Sequence, residues 1–252
     1  MAVNKAKTVL VTGATSGIGR ATAIRLSRMG WRVFATGRRE DELNKLVQEG
    51  FAEAVKVVEL TNPTAVTELM DELLDRFGKL DGLVHAAGIL TSGSMDNEND
   101  EGFLRLMDVN LNASWLLLKR AWEPLKQSRG SAVLVSSVTG LRAFPGLVGY
   151  CVSKASVDQL VRSAALDGAP HGIRVNGINP GVVVTNLHKA GGMDEEQYAG
   201  FLEHSKSTHP LGRVGEAEEV AQAIVFLLSE ESGWTTGISF PIDGGRQLTC
   251  AR

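Results

Sequence analysis

Cysteine is scarce in this 252-residue chain, with only Cys151 and Cys250 present. Two thiols make no disulfide framework, so a reducing, cytoplasmic setting is expected. The five histidines are scattered, and neither they nor the cysteines show metal-ligand spacing, so no metal site is expected. Charge of either sign is not in excess. A net charge of −3 lacks the basic stripe that nucleic acid calls for. No apolar run approaches the roughly 18 residues of a membrane span. Residues 1–5 lead straight into a strand-like segment, which is read as leaving no room for a signal peptide. Tyrosine is as scarce as cysteine, with only Tyr150 and Tyr198.

What is present is an alternation. Strand-like apolar runs at 8–12, 32–36, 54–59, 82–86, 132–136, 174–178 and 238–241 are separated by amphipathic stretches at 17–29, 41–48, 64–77, 100–122, 149–166 and 217–228. Strands alternating with helices through short connections predict an α/β fold, a single-domain doubly wound parallel sheet (Rossmann-like) with helices on both faces. No repeat, low-complexity tract or linker divides the chain, so one domain spanning 1–252 is expected. The stretch 185–213 has no strand signal. It is read as a lid, because a long excursion beyond the carboxyl ends of the strands usually serves function.

Two local patterns carry chemistry. The first strand runs into Gly13-Ala14-Thr15-Ser16-Gly17-Ile18-Gly19 and then a helix. Gly13 permits a tight turn, Gly17 lets backbone approach a pyrophosphate, and Gly19 lets the helix pack on the strand. The helix N-terminus supplies free N–H groups for phosphates. In the second pattern, Tyr150 and Lys154 stand at i and i+4, on one helical face. A close ammonium is expected to favour the phenolate and bring a phenol with a pKa of about 10 into range for proton transfer. Ser137 lies upstream, at the end of a strand-like run.

Thr12-Gly13-x-x-x-Gly17-x-Gly19 together with Tyr150-x-x-x-Lys154 resembles the short-chain dehydrogenase/reductase family, and the resemblance runs from about Lys7 to Gly245. It implies a hydride-transferring enzyme. In that reading Tyr150 is the acid–base, Lys154 lowers its pKa and holds the nicotinamide ribose, and Ser137 binds the substrate oxygen. Asn110 holds a water joined to the lysine. Ser136 is the weaker serine candidate, one residue out of register. The implied cofactor contacts are Gly13, Ser16, Gly17, Ile18, Gly19, Glu59, Leu60, Ala87, Gly88, Asn110, Tyr150, Lys154, Pro180, Gly181, Val183 and Thr185. Relatives that bind NAD carry an acid where this chain has Gly37, and Arg38, followed by Arg39, offers a fork for a 2′-phosphate. NADP(H) is therefore expected over NAD(H), although the position of Ser16, often basic in such relatives, is not basic here. His85 departs from the family's usual asparagine and is expected to take over its structural hydrogen bonding.

The substrate wall is expected to include Ser137, Leu141, Phe144, Tyr150, Leu187, Met193 and Tyr198, which suits a small to medium, largely apolar ketone, aldehyde or alcohol. A 3-oxoacyl chain on acyl carrier protein is the alternative substrate. It is weakened because Ser128 and His171 stand where relatives that use it carry arginines. A non-catalytic dinucleotide-sensing regulator is the alternative of another class. The resemblance also implies a homo-oligomer, a tetramer or dimer. The stripe Leu104, Met107, Leu111 and Trp115 is read as either an oligomer face or a face against the sheet.

Overall fold

The computed structural model describes residues 6–249, so the opening segment read for a leader and Cys250 lie outside the described residues. Seven strands form one parallel sheet: β1 (Thr8–Thr12), β2 (Arg32–Gly37), β3 (Ala54–Val57), β4 (Gly82–His85), β5 (Ser131–Val135), β6 (Arg174–Pro180) and β7 (Ser239–Ile242). Their spatial order is β3-β2-β1-β4-β5-β6-β7, and every neighbouring pair is parallel. The direction of crossover reverses between β1 and β4, and a crevice for a ligand opens at such a switch point.

The helices in chain order are α1 (Gly17–Arg28), α2 (Glu40–Gln48), α3 (Pro63–Phe77), α4 (Asp100–Leu106), α5 (Ala113–Ser128) and α6 (Val138–Leu141). They continue with α7 (Val148–Gly168), α8 (Leu187–Ala190), α9 (Glu195–Thr208) and α10 (Ala217–Leu228). The period-two pattern of the strands sorts them into two layers. From β1, Leu10 joins Leu69, Leu117 and Val161 of α3, α5 and α7. Its neighbours Val9 and Val11 join Leu26, Leu43 and Ile224 of α1, α2 and α10 on the opposite face.

The stretch expected as one helix at 100–122 is broken and extended. A π-turn, Met107–Asn112, separates α4 from α5, and α5 continues to Ser128 through Pro124. The proline removes one helical N–H, and its ring is buried in the core contact that holds α5. A π-turn inserts an extra residue into the helical register, and such turns recur at functional sites. Here it points Asn110 inward. The four-residue α6 was not expected from the sequence. Where helices need defined ends, side chains supply them: Asn62 accepts the N–H groups of Thr64 and Ala65 ahead of α3, and Gly78 closes it with φ 73°.

Candidate active site

A cavity of about 400 Å³ runs along the carboxyl ends of the strands from the glycine loop to Tyr150 and α8. At one end, backbone packs on backbone. Gly13 has φ +65°, and a Cβ there would lie 2.7 Å from the Ala87 nitrogen. A Cβ at Gly19 would lie 2.4 Å from the Gly13 carbonyl oxygen. Neither position accepts a side chain, so the loop stays thin over the sheet edge. Gly17 (φ +52°) does something the sequence did not show: a Cβ there would lie 2.9 Å from Thr185 Cγ2, so the bare backbone admits the segment after β6. Ser16 makes no capping bond, and the first turn of α1 carries no acidic residue. The unsatisfied N–H groups and positive end of that helix therefore face the cavity uncompensated, a donor set that fits a pyrophosphate.

Next to this cradle, Gly37 ends β2 with Thr15 Cγ2 only 2.6 Å from where its Cβ would be. No carboxylate fits there unless Thr15 moves. Arg38 and Arg39 both border the cavity, and Arg39 Nη2 donates to the Thr15 carbonyl at 2.8 Å. Glu59, Leu60, Ala87, Gly88, Pro180, Gly181, Val183 and Thr185 line the same space. Below it, His85 is buried with Nδ1 2.8 Å from the Thr12 hydroxyl and Nε2 unpartnered. Burial, reinforced by Lys154, pushes its pKa down to about 3, so the ring is neutral.

At the other end, α7 presents Tyr150 and Lys154, both buried, toward Ser137 at the start of α6. Ser137 Oγ accepts the Thr139 N–H at 3.1 Å, and the serine also hydrogen-bonds Tyr150. Ser136 also borders the cavity, but its hydroxyl donates to the Lys154 carbonyl at 3.1 Å. Asn110 does not line the cavity. Its Oδ1 accepts the Ile89 N–H at 2.9 Å, and its Nδ2 donates to the Ile89 carbonyl and Ser153 Oγ, each at 3.0 Å. Asn110 Oδ1 and Lys154 Nζ both crowd the empty Cβ position of Gly88, at 3.1 and 3.4 Å.

The expected electrostatics of the tyrosine need correction. Burial pushes the Tyr150 pKa up to about 12, and the opposing bond from Ser137 does not offset it. Burial also pushes Lys154 down to about 8, against the pull of Asp158. The ammonium is engaged with backbone, Nζ donating to the Val135 carbonyl at 3.0 Å, and lies 5.8 Å from the centroid of the Tyr150 ring. In this state of the site, desolvation outweighs the cation, and Tyr150 is a neutral phenol.

The expected substrate wall is only partly assembled. Ser137, Tyr150 and Leu187 border the cavity, whereas Leu141, Phe144, Met193 and Tyr198 do not. Leu141 is exposed to solvent, and Phe144 is held between the guanidinium groups of Arg142 and Arg246 at 5.0 and 5.1 Å. Tyr198 is buried as a tie: its hydroxyl accepts the Thr185 N–H at 3.2 Å and donates to the Thr185 carbonyl at 2.9 Å. At the far end of the 185–213 segment, His209 Nε2 accepts the Val182 N–H at 3.1 Å, and Nδ1 lies 2.6 Å from the Ser205 carbonyl. Thr15, Asn186 and His188 also line the cavity; the last two fall in the segment 182–201 expected to supply substrate walls, but none of the three was singled out from the sequence. Only Thr15 stood in a motif, the glycine loop. His188 belongs to no motif, and its ring rests on Phe201 at 4.5 Å.

A glycine cradle at the switch point and a buried tyrosine–lysine–serine group in one cavity define a nicotinamide-dinucleotide oxidoreductase of the Rossmann type. The family described as enoyl-(acyl carrier protein) reductase matches residues 13–247, and the chain belongs to the short-chain dehydrogenase/reductase family. It is similar to the 3-oxoacyl-(acyl-carrier-protein) reductase of Haemophilus influenzae, 34% identical over 96% of this chain and 99% of the relative. It is also similar to the glucose 1-dehydrogenase of Gluconobacter oxydans, 35% identical over 96% and 92%. Among solved structures, a short-chain dehydrogenase/reductase of unknown function from Caenorhabditis elegans, with cofactor, superposes with a TM-score of 0.90. The two are 33% identical, with 96% of each chain covered.

Proposed function

We propose that the chain is an NADP(H)-dependent carbonyl reductase, interconverting a ketone or aldehyde and an alcohol on a small to medium, largely apolar substrate. The observation that carries this reading is the Tyr150 phenol, hydrogen-bonded to Ser137, in the cavity that also holds the glycine cradle. When bound, the cofactor would supply or accept the hydride at its nicotinamide. The thin glycine loop and the first turn of α1 would hold its pyrophosphate, and Thr185, Val183 and Lys154 would hold its nicotinamide end. Ser137 donates to the substrate oxygen as charge develops there. Tyr150 gives the proton. With a pKa of about 12 it is still a stronger acid than the alcohol being formed, so the transfer runs downhill in the direction of reduction.

Preference for NADP(H) is supported by Gly37, whose Cβ space Thr15 fills, and by Arg38 and Arg39 at the cavity edge. The 185–213 segment acts as the lid, tied to the body through Tyr198 and His209. Assembly into a homo-oligomer is supported by apolar side chains left in water, and a chain with two cysteines suits a cytoplasmic setting. Leu104 and Trp115 are 65% and 52% exposed, so that stripe does not face the sheet, while Trp234 is fully exposed near β7. The deciding experiment measures oxidation of NADPH and NADH with ketones, aldehydes and a 3-oxoacyl thioester. Turnover of free carbonyls with NADPH is expected. Turnover confined to the thioester would transfer the assignment to acyl-chain reduction, and cofactor binding without any turnover would mark a sensor.

A further inference from the structure

Eight residues along α7 from Tyr150, and four from Lys154, the same face carries a third ionisable group, Asp158. It is 1% exposed, and among the described residues it forms no ion pair within bonding distance. A buried carboxylate without a directly bound cation is costly and needs specific partners. Asn179, itself fully buried at the end of β6, provides them. Its Nδ2 lies 3.0 Å from both carboxylate oxygens and 2.8 Å from the Ser137 carbonyl. One amide nitrogen thus joins the helix that carries Tyr150 and Lys154 to the serine that faces them.

The surroundings are shaped for this carboxylate. A Cβ on Gly140 would lie 2.2 Å from Asp158 Oδ2, and one on Gly177 would lie 3.6 Å from Oδ1. Glycine in α6 therefore leaves the space that Asp158 occupies, directly behind Ser137. A carboxylate only accepts hydrogen bonds, so it holds the Asn179 amide with its nitrogen inward and toward Ser137. The opposite face of that amide, Oδ1, is buried and unpartnered. The arrangement gives up one acceptor's bond to keep the orientation.

We propose that Asp158 is a positioning residue, which through Asn179 fixes Ser137 against Tyr150 and by its charge balances the Lys154 ammonium. This rests on the reading of Ser137, Tyr150 and Lys154 as the reacting group. The ionisable groups acting on the pair are Tyr150 and Arg162 on α7 and His85 from β4. β5, β6 and the π-turn face it with Ser136, Asn179 and Asn110, which do not titrate. His85 stays neutral through the working range.

Asp158→Asn tests both halves. A neutral amide offers a donor to Asn179, which then has reason to flip and release the Ser137 carbonyl. Loss of the negative charge also lets Lys154 shed its proton at lower pH. With NADPH and phenanthrenequinone as the carbonyl probe, kcat is expected to fall about 10- to 100-fold. The alkaline limb of the kcat profile should move to lower pH, with NADPH affinity unchanged. Asn179→Ala keeps the carboxylate, so it should lower kcat while leaving that limb in place. A readout free of turnover comes from the rarity of tyrosine. In protein labelled at tyrosine 13Cζ only Tyr150 and Tyr198 give signals. Both variants should move the Tyr150 resonance, assigned by its loss in Tyr150→Phe, and leave that of Tyr198 in place. If Asp158→Asn does not fold, Asn179→Ala decides by the same resonance. An unmoved Tyr150 signal overturns the proposal, as does an unchanged kcat profile in a folded Asp158→Asn. Tyr150→Phe measured in parallel separates the two readings, because turnover surviving in that variant sinks the catalytic assignment itself.

Discussion

Lys154 Nζ donates to the Val135 carbonyl at 3.0 Å and lies 5.8 Å from the centroid of the Tyr150 ring. The cation is therefore beside the aromatic ring, engaged with backbone, and the phenol keeps its proton. Replacing Tyr150 with Phe removes the proton donor and little else. Turnover is expected to drop about 100- to 10,000-fold, the usual contribution of a positioned acid, with NADPH binding by fluorescence titration preserved. Near-normal turnover would take Tyr150 out of the proton step.

The buried ammonium of Lys154 costs stability. Its pKa falls from 10.5 unfolded to about 8 folded, so between those values the unfolded chain binds more protons and stability rises with pH. Below about 8 the folded protein carries the full cost of the charge. Lys154→Met is expected to raise unfolding free energy at neutral pH by about 1–3 kcal/mol while abolishing turnover. Urea melts that show a destabilised variant would contradict this.

His85 sets an acid limit. Its folded pKa of about 3 lies below the ordinary 6.5, so its contribution to stability is present above 6.5 and declines as pH falls toward the folded value. His85→Asn can keep a bond to Thr12 and removes the titration. The stability lost on acidification from about pH 6.5 to about pH 4.5 should shrink by about 2–3 kcal/mol. Equal acid sensitivity in the two proteins would mean that another group controls it.

Arg38 borders the cavity beside Gly37 and makes no ion pair among the described residues. A charge-assisted bond to a phosphate is worth about 1.5–3 kcal/mol, so Arg38→Ala should weaken NADPH by about 10- to 100-fold and leave NADH nearly unchanged. Calorimetric titration of both cofactors tests this, and equal losses for the two would remove the basis for NADP(H) preference.

Trp234, fully exposed ahead of β7, and Trp115, half exposed on α5, leave apolar area in water on two different parts of the chain. Trp115→Glu and Trp234→Glu should each lower the mass measured by light scattering, if each area covers a different contact between copies. A monomeric wild type would refute the oligomer.

The two layers of the fold were legible because parallel strands carry period-two apolar residues and the helices between them carry the 3.6-residue period. The glycine loop and the Tyr150–Lys154 pair were equally legible, since turn geometry and helical spacing are local. Substrate contacts were not. Phe144, Met193 and Tyr198 are apolar residues in the right segment, yet only packing decides whether such a residue faces the cavity or ties its own loop, as Tyr198 ties Thr185.

From sequence alone came the parallel sheet with helices on both faces, the glycine loop and the Tyr150–Lys154 pair, all consequences of short-range periodicity and steric need; the strand order that makes the switch point came from the structure. Tertiary structure decided what is non-local. It broke the helix at Met107–Asn112 so that Asn110 turns inward, and it buried Tyr150 deeply enough to reverse the expected direction of its pKa. It also brought Asp158, Asn179 and Ser137 together from three separate elements. Desolvation and hydrogen-bond partnership depend on what folds against a residue, and no spacing along one chain segment encodes them.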